Sequence, residues 1–215
     1  MSKKKIFLDF DGTIFDTSLY RDILFEIFGE AGFLKSEILS NYEEECLDYK
    51  FSPEGLVERL GRIRSFDQTK ALEKIDNSYL KIPKLLYNDT FNFLQSINRD
   101  LYTVDLLSLG DITFQKKKIN HSGLLSHFDK VYITDVQKWH YLKEIVGNED
   151  HFIIIDDRAD TIKNVGEYFP NALPIEIRRG DADKNDPMRT SVIAGALKND
   201  DNLTIRSLSQ AIKYL

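Results

Sequence analysis

Two carboxylates set close behind a short apolar strand are the residues of this chain best suited to chemistry. They lie in the stretch IFLDFDGTIFDT, from Ile6 to Thr17. Ile6, Phe7 and Leu8 run straight into Asp9; Asp11 follows two positions later, then Gly12 and Thr13. Like charges at that spacing repel, and each resists ionisation unless a cation neutralises the pair. The chemistry that fits is metal-assisted. A divalent ion would sit between the carboxylate of Asp9 and a second oxygen from Asp11, leaving one carboxylate free as a nucleophile. The plainer alternative is a tight turn in which the aspartates cap backbone groups.

Later stretches also run apolar strands into polar residues. In LYTVDLLSLGDITFQKKKI, a strand from Leu101 to Leu107 ends in Ser108, and Gly110 allows close backbone approach. In VYITDVQKWHYLKEIVG, Val131 to Thr134 reads as a short strand. Lys138 then opens a helix with Leu142, Ile145 and Val146 at helical spacing. In HFIIIDDRADTI, the apolar run Phe152 to Ile155 suits a strand buried on both faces. It ends in Asp156 and Asp157, and Asp160 completes a D-x-x-x-D spacing. Helix N-capping by Asp157 is compatible with a catalytic role there.

D-x-D-G-T behind an N-terminal strand resembles the first motif of the haloacid dehalogenase-like superfamily of hydrolases. The later stretches resemble its other motifs, in order. The resemblance covers roughly residues 4–14 and 88–178 and does not carry across the segment between them. It implies an α/β fold, a Rossmann-like parallel sheet covered by helices on both faces, with an inserted α-helical cap. It implies a Mg²⁺-dependent phosphatase that hydrolyses a small phosphorylated metabolite through an aspartyl phosphate on Asp9. Asp11 would protonate the leaving alcohol and then deprotonate the attacking water. Asp9, Asp11 and Asp156 would hold Mg²⁺, and Asp157 or Asp160 would act through a water or orient the lysine. Ser108, with Gly12, Thr13, Leu109 and Gly110, would bind the phosphoryl group. Lys138 would balance the charge between nucleophile and phosphate; Lys143, further along the helix, is its competitor. Members that dehalogenate carbon centres lack an acid at the position of Asp11. A phosphomutase of the same superfamily and a non-catalytic regulatory or binding member are the alternatives.

Elements must carry these residues to one place. Apolar stripes at Leu19, Ile23, Leu24, Ile27 and Phe28, and at Ile38, Leu39, Tyr42, Cys46 and Leu47, predict helices. Ser52 and Pro53 open a third, and Leu72, Ile75, Tyr79 and Leu80 mark a fourth that closes near Pro83. Strand signals are absent there. Residues 16–82 are thus expected to form the helical cap, and residues 1–15 and 83–215 the catalytic core. In the core, strands and helices alternate, as a parallel sheet requires. A strand from Ala172 to Arg178 leads into the polar loop GDADKNDPMRT, and Ser207 to Leu215 reads as a closing helix with Leu208, Ile212 and Leu215 inward. Tyr20, Arg59, Arg62 and Arg64 are cap candidates for substrate contact.

Composition bounds the rest. A 215-residue chain with 42% apolar and 30% charged residues can build a sizeable core. A net charge of −6 without a long basic run argues against nucleic acid as partner. No apolar stretch reaches membrane-spanning length. A single cysteine, Cys46, leaves no internal disulfide, so a reduced, cytoplasmic setting is expected.

Overall fold

The computed structural model describes residues 3–47, 50–147, 150–180 and 202–215. Strand β1 spans Lys4–Leu8 and helices α1 to α4 span Thr17–Glu30, Lys35–Glu45, Pro53–Ile63 and Gln68–Ser78. A 3-10 turn at Tyr79–Leu85 leads to α5 (Thr90–Ser96) and β2 (Tyr102–Leu109). Then follow α6 (Ile112–His121), β3 (Lys130–Thr134), α7 (Lys138–Ile145) and β4 (Phe152–Asp156). The chain continues through α8 (Ala159–Tyr168), β5 (Ala172–Ile177), β6 (Leu203–Ile205) and a 3-10 segment at Leu208–Tyr214.

The strands form one parallel sheet in the order β3-β2-β1-β4-β5-β6. Alternation of side chains along β1 feeds two cores. Ile6 and Leu8 join the larger apolar cluster, which continues into α1 to α4. Phe7 joins the other, with Leu107, Leu142, Ile154, Ile162 and Val165. The strand order reverses direction at β1 and β4, and in such sheets ligands bind beyond the carboxyl ends of the strands at that point. Register places the chemistry there. Leu8 sits opposite Leu106 of β2 and Ile155 of β4, so Asp9, Ser108 and Asp156 emerge on one edge.

Helix starts follow local chemistry. The Asp16 side chain accepts from the backbone N–H groups of Ser18 at 3.0 Å and Leu19 at 3.2 Å, capping α1. Ser52 caps α3 ahead of Pro53, and Asp111 caps α6 through Phe114 N–H at 2.8 Å.

Some expectations change. Strand β6 carries too short an apolar signal to read from the sequence. The closing helix is a 3-10 segment, so its inward positions recur every third residue: Leu208 and Ala211 are buried, while Ile212 is 43% exposed. Likewise the chain switches to 3-10 geometry at Tyr79, which turns Leu80 outward at 71% exposure. Leu19 also faces out. Apart from Gly180, the polar stretch GDADKNDPMRT lies outside the described residues.

One buried group costs stability. Asp105 sits in β2 between Phe7 of β1 and Lys130 of β3, and its Oδ1 has no hydrogen-bond partner among the described residues. Burial raises its pKa, Asp129 adds to the rise, and Lys130 and Lys5 oppose it. The folded state therefore binds the proton more tightly than the unfolded chain. Stability is lost as pH rises from the unfolded pKa through the folded one. Asp105→Asn removes that loss. It is expected to raise the Tm by about 2–4 °C at pH 7. The gain should vanish as the pH is lowered past the unfolded carboxyl value, which parallel melts across pH would show.

Candidate active site

Asp9 leaves β1 with its backbone N–H donating to Ile155 O at 3.0 Å, so β4 holds it in place. It is 4% exposed. The Lys138 ammonium donates to Asp9 Oδ1 at 2.5 Å and to Asp156 Oδ2 at 2.6 Å, and Lys138 and Asp156 are fully enclosed. Asp156 also accepts from Arg158 N–H at 2.8 Å through Oδ1. Lys138 opens α7, which follows β3, so helix and strand together deliver the ammonium between the two acids.

Three acids cluster at this strand end. Ligand atoms of Asp9, Asp156 and Asp157 lie within 4.8 Å of one another. Burial pushes the Asp9 carboxyl up to about 7; Lys138 pulls it down, while Asp156 and Asp11 push it further up. Burial would depress Lys138, but Asp156 and Asp9 outweigh it and hold its pKa above the ordinary lysine value. Clustered carboxylate oxygens are the donors a hard divalent ion takes.

Of the acids the sequence offered at β4, Asp157 joins this group, whereas Asp160 forms a bidentate pair with Arg158 at 3.1 and 2.6 Å. Asp11 points its carboxylate elsewhere, to Thr17 Oγ1 at 3.4 Å, to Gln115 Nε2 at 2.6 Å and to Lys118 Nζ. No carboxylate oxygen of Asp11 joins the group formed by Asp9, Asp156 and Asp157. Thr13 Oγ1 reaches Asp9 Oδ2 at 3.5 Å, and Gly12 takes φ 72°, which closes the turn behind the nucleophile position. Ser108, next to last in β2, is fully enclosed, and its Oγ has no partner among the described residues. A buried hydroxyl without a partner is costly, and a ligand oxygen would satisfy it. Leu109 and Gly110 follow at the same strand end. Gly110 has φ 152°, and a Cβ there would come within 2.6 Å of Gln115 Nε2, so this glycine makes room for a side chain as well as for a ligand.

Of the cap candidates, Tyr20, Arg59 and Arg64 already have polar partners. Tyr20 Oη pairs with Ser78 Oγ at 3.1 Å, and burial pushes its pKa up to about 12. Arg59 is bonded to Glu45 at 2.5 Å and Glu44 at 2.9 Å. Arg64 holds Gly32 O at 3.0 Å, and Arg62 is exposed. Lys143 lies over the rings of Trp139 at 4.6 Å and Tyr168 at 4.3 Å. Trp139 stacks on Tyr168 with centroids 4.4 Å apart, which makes it a packing residue of α7 and α8.

Some residues of the site escaped the sequence. Gln115 and Lys118 were hidden in the run QKKK, whose members look alike until helical phase is assigned: Lys116 faces solvent and Lys118 is buried. The signal was the aromatic Phe114, four positions before Lys118, which fixes the inward face of α6. Arg179 is another. It donates to Thr13 O at 3.1 Å through Nε and to Asp89 at 2.9 and 2.7 Å. It thereby ties the end of β5 to the motif turn.

The sequence matches no family model and no curated protein. Solved structures do match. A protein from Burkholderia xenovorans described as a haloacid dehalogenase-like hydrolase superposes with TM-score 0.77 at 18% identity, covering 99% of this chain and 96% of that one. The HAD-hydrolase YfnB from Bacillus subtilis, solved bound to magnesium, gives TM-score 0.62 at 13% identity over 100% and 99% of the two chains. The L-2-haloacid dehalogenase from Xanthobacter autotrophicus, solved with chloropropionic acid covalently bound, gives 0.66 at 14% over 99% and 98%. Identities this low speak to the fold, and the fold is that of the haloacid dehalogenase-like hydrolases. Among the described residues no helix is long and apolar enough to cross a membrane.

Proposed function

We propose that this chain, built on the haloacid dehalogenase-like fold, is a Mg²⁺-dependent phosphatase acting on a small phosphorylated metabolite. The observation that carries the proposal is Lys138, a buried ammonium bonded at once to Asp9 and Asp156, with Asp157 in the same carboxylate group. Asp9, Asp156, Asp157 and the Asp11 carbonyl would hold the Mg²⁺. Bound there, the ion would neutralise charge on the phosphoryl oxygens and keep the Asp9 carboxylate ionised.

The chain's own residues supply the steps. A phosphate monoester brings negative charge to an acidic site, and Lys138 offsets part of it. The Ser108 hydroxyl and backbone N–H groups near Gly12, Thr13, Leu109 and Gly110 orient the phosphoryl oxygens. An Asp9 carboxylate oxygen attacks phosphorus as the bond to the alcohol oxygen breaks, and Asp11 delivers a proton to that oxygen. Asp11 then takes a proton from a water that attacks phosphorus, releasing inorganic phosphate and free Asp9. Dehalogenation on this fold forms an ester with carbon and needs no acid at the position of Asp11. The carboxylate at that position favours phosphoryl transfer here.

Residues 16–82 act as the cap in this reading, joined to the core near 15–17 and 83–88, and closure would keep bulk water from the aspartyl phosphate. Lys117 of α6 bridges the parts, bonded to Glu54 at 2.9 Å and Asp76 at 3.4 Å. A soluble small substrate and a cytoplasmic setting complete the reading. The test is release of inorganic phosphate from p-nitrophenyl phosphate and a panel of phosphometabolites. Release is expected with Mg²⁺ and lost with chelator. Activity that survives complete chelation would overturn the metal-assisted reading.

A further inference from the structure

Asp11 is held by a set of donors that the chemistry above does not use. Its Oδ1 accepts from Lys118 Nζ and from Thr17 Oγ1 at 3.4 Å, and its Oδ2 accepts from Gln115 Nε2 at 2.6 Å. Gln115 and Lys118 stand three positions apart on α6, so they share one face of that helix. Both are buried. Lys118 is walled by the rings of Phe114, Phe15 and Phe10, at 4.4, 5.3 and 5.7 Å from its ammonium. Burying an ammonium among rings is costly, and its pairing with Asp11 is what offsets that cost. Gln115 is itself fixed, because its Nε2 also donates to Leu109 O at 3.2 Å and its amide lies against the gap left by Gly110.

We propose that Lys118 and Gln115 are positioning residues that set the Asp11 carboxylate for proton transfer. The proposal rests on the phosphatase reading for the role of Asp11. Each donor takes a different carboxylate oxygen, so together they fix both the rotamer and the plane of the group. A carboxyl that must meet the leaving oxygen and then a water has to stay in one place through both steps. The donors come from α6, while Asp11 comes from the turn after β1, so the contacts tie the carboxylate of one segment to the face of the other. Lys138 serves the nucleophile; Lys118 serves the acid.

The test separates proton delivery from attack. p-Nitrophenyl phosphate has a leaving group that departs without a proton, whereas a simple alkyl phosphate needs one. Lys118→Met and Gln115→Met are each expected to lower kcat on the alkyl ester at least about tenfold more than on p-nitrophenyl phosphate, with KM little changed. Lys117→Met, one position away and bonded to the cap, should keep the wild-type ratio between the two esters. Crystal structures of the variants should show the Asp11 carboxylate in a different rotamer. Equal losses on both esters, or an Asp11 carboxylate that keeps its place, would overturn the proposal. If wild-type protein released no phosphate, the phosphatase reading would fall, and the crystal structures would still decide whether these donors place Asp11. If Lys118→Met does not fold, Gln115→Met decides alone.

Discussion

Asp9→Asn is expected to abolish turnover while leaving the fold intact. The amide has nearly the shape of the carboxylate but is a poor nucleophile, so the loss in kcat should reach about 10⁴-fold or more. Structure gives a second reason to expect a folded variant. Burial pushes the Asp9 carboxyl up to about 7, so the ionised group is held at a cost that a neutral amide does not carry. Lys138 keeps Asp156 as its partner. The melting temperature should therefore not fall. Phosphate release, measured beside a thermal melt, checks both halves. Near-normal rates in this variant would sink the covalent mechanism.

The second large effect separates two lysines of one helix. Lys138→Ala should cost at least about 10²-fold in rate, because it removes the charge that balances nucleophile and phosphate. It also leaves Asp9 and Asp156 facing each other in a buried place, so some loss of stability should accompany the loss of rate. Lys143→Ala should be nearly silent. Five positions along α7 rotate its side chain by about 140° from Lys138. Its ammonium lies over Trp139 and Tyr168 instead of the carboxylates. Steady-state rates of the two variants on one ester decide the matter. The reverse ranking would move the charge-balancing role to Lys143.

How much of this was legible beforehand follows from periodicity and local chemistry. The strand ends that carry Asp9 and Asp156 were readable because each is an apolar run stopped by a polar residue; Ser108 ends a run that Thr103 and Asp105 interrupt. Parallel pairing then aligns those stops. Leu24, Ile27 and Phe28 of α1 and Leu56, Val57 and Leu60 of α3 do point inward, whereas Leu19 and Ile63, expected on the same stripes, are about half exposed at 47% and 48%. Other failures came where geometry left the α-helical period. At Leu80 and Ile212 the chain is 3-10, and a 3.6-residue reading puts the wrong residue inside. Strand β6 has only Leu203–Ile205 to announce it, and its place is set by pairing with β5 across a long separation in sequence.

In the site, residue types were legible and partners were not. Nothing in D-D-R-A-D says which acid faces the cluster; the turn does, because Arg158 draws Asp160 into an ion pair and leaves Asp157 beside Asp9. The cap arginines looked like substrate contacts on charge alone. Arg59 and Arg64 are instead spent on Glu44, Glu45 and Glu37, acids that lie 15, 14 and 27 positions away in the chain. The link from Asp11 to Lys118 spans 107 positions, beyond any spacing rule.

The central claim is that Asp9 carries the phosphoryl group. An acyl phosphate is a mixed anhydride, and borohydride reduces it to an alcohol, which would turn Asp9 into homoserine. Protein mixed with Mg²⁺ and p-nitrophenyl phosphate, quenched in acid, reduced and digested should yield a peptide with homoserine at position 9, absent without substrate or with chelator. Steady release of inorganic phosphate with position 9 unmodified, or with the label on another carboxylate, would contradict the account.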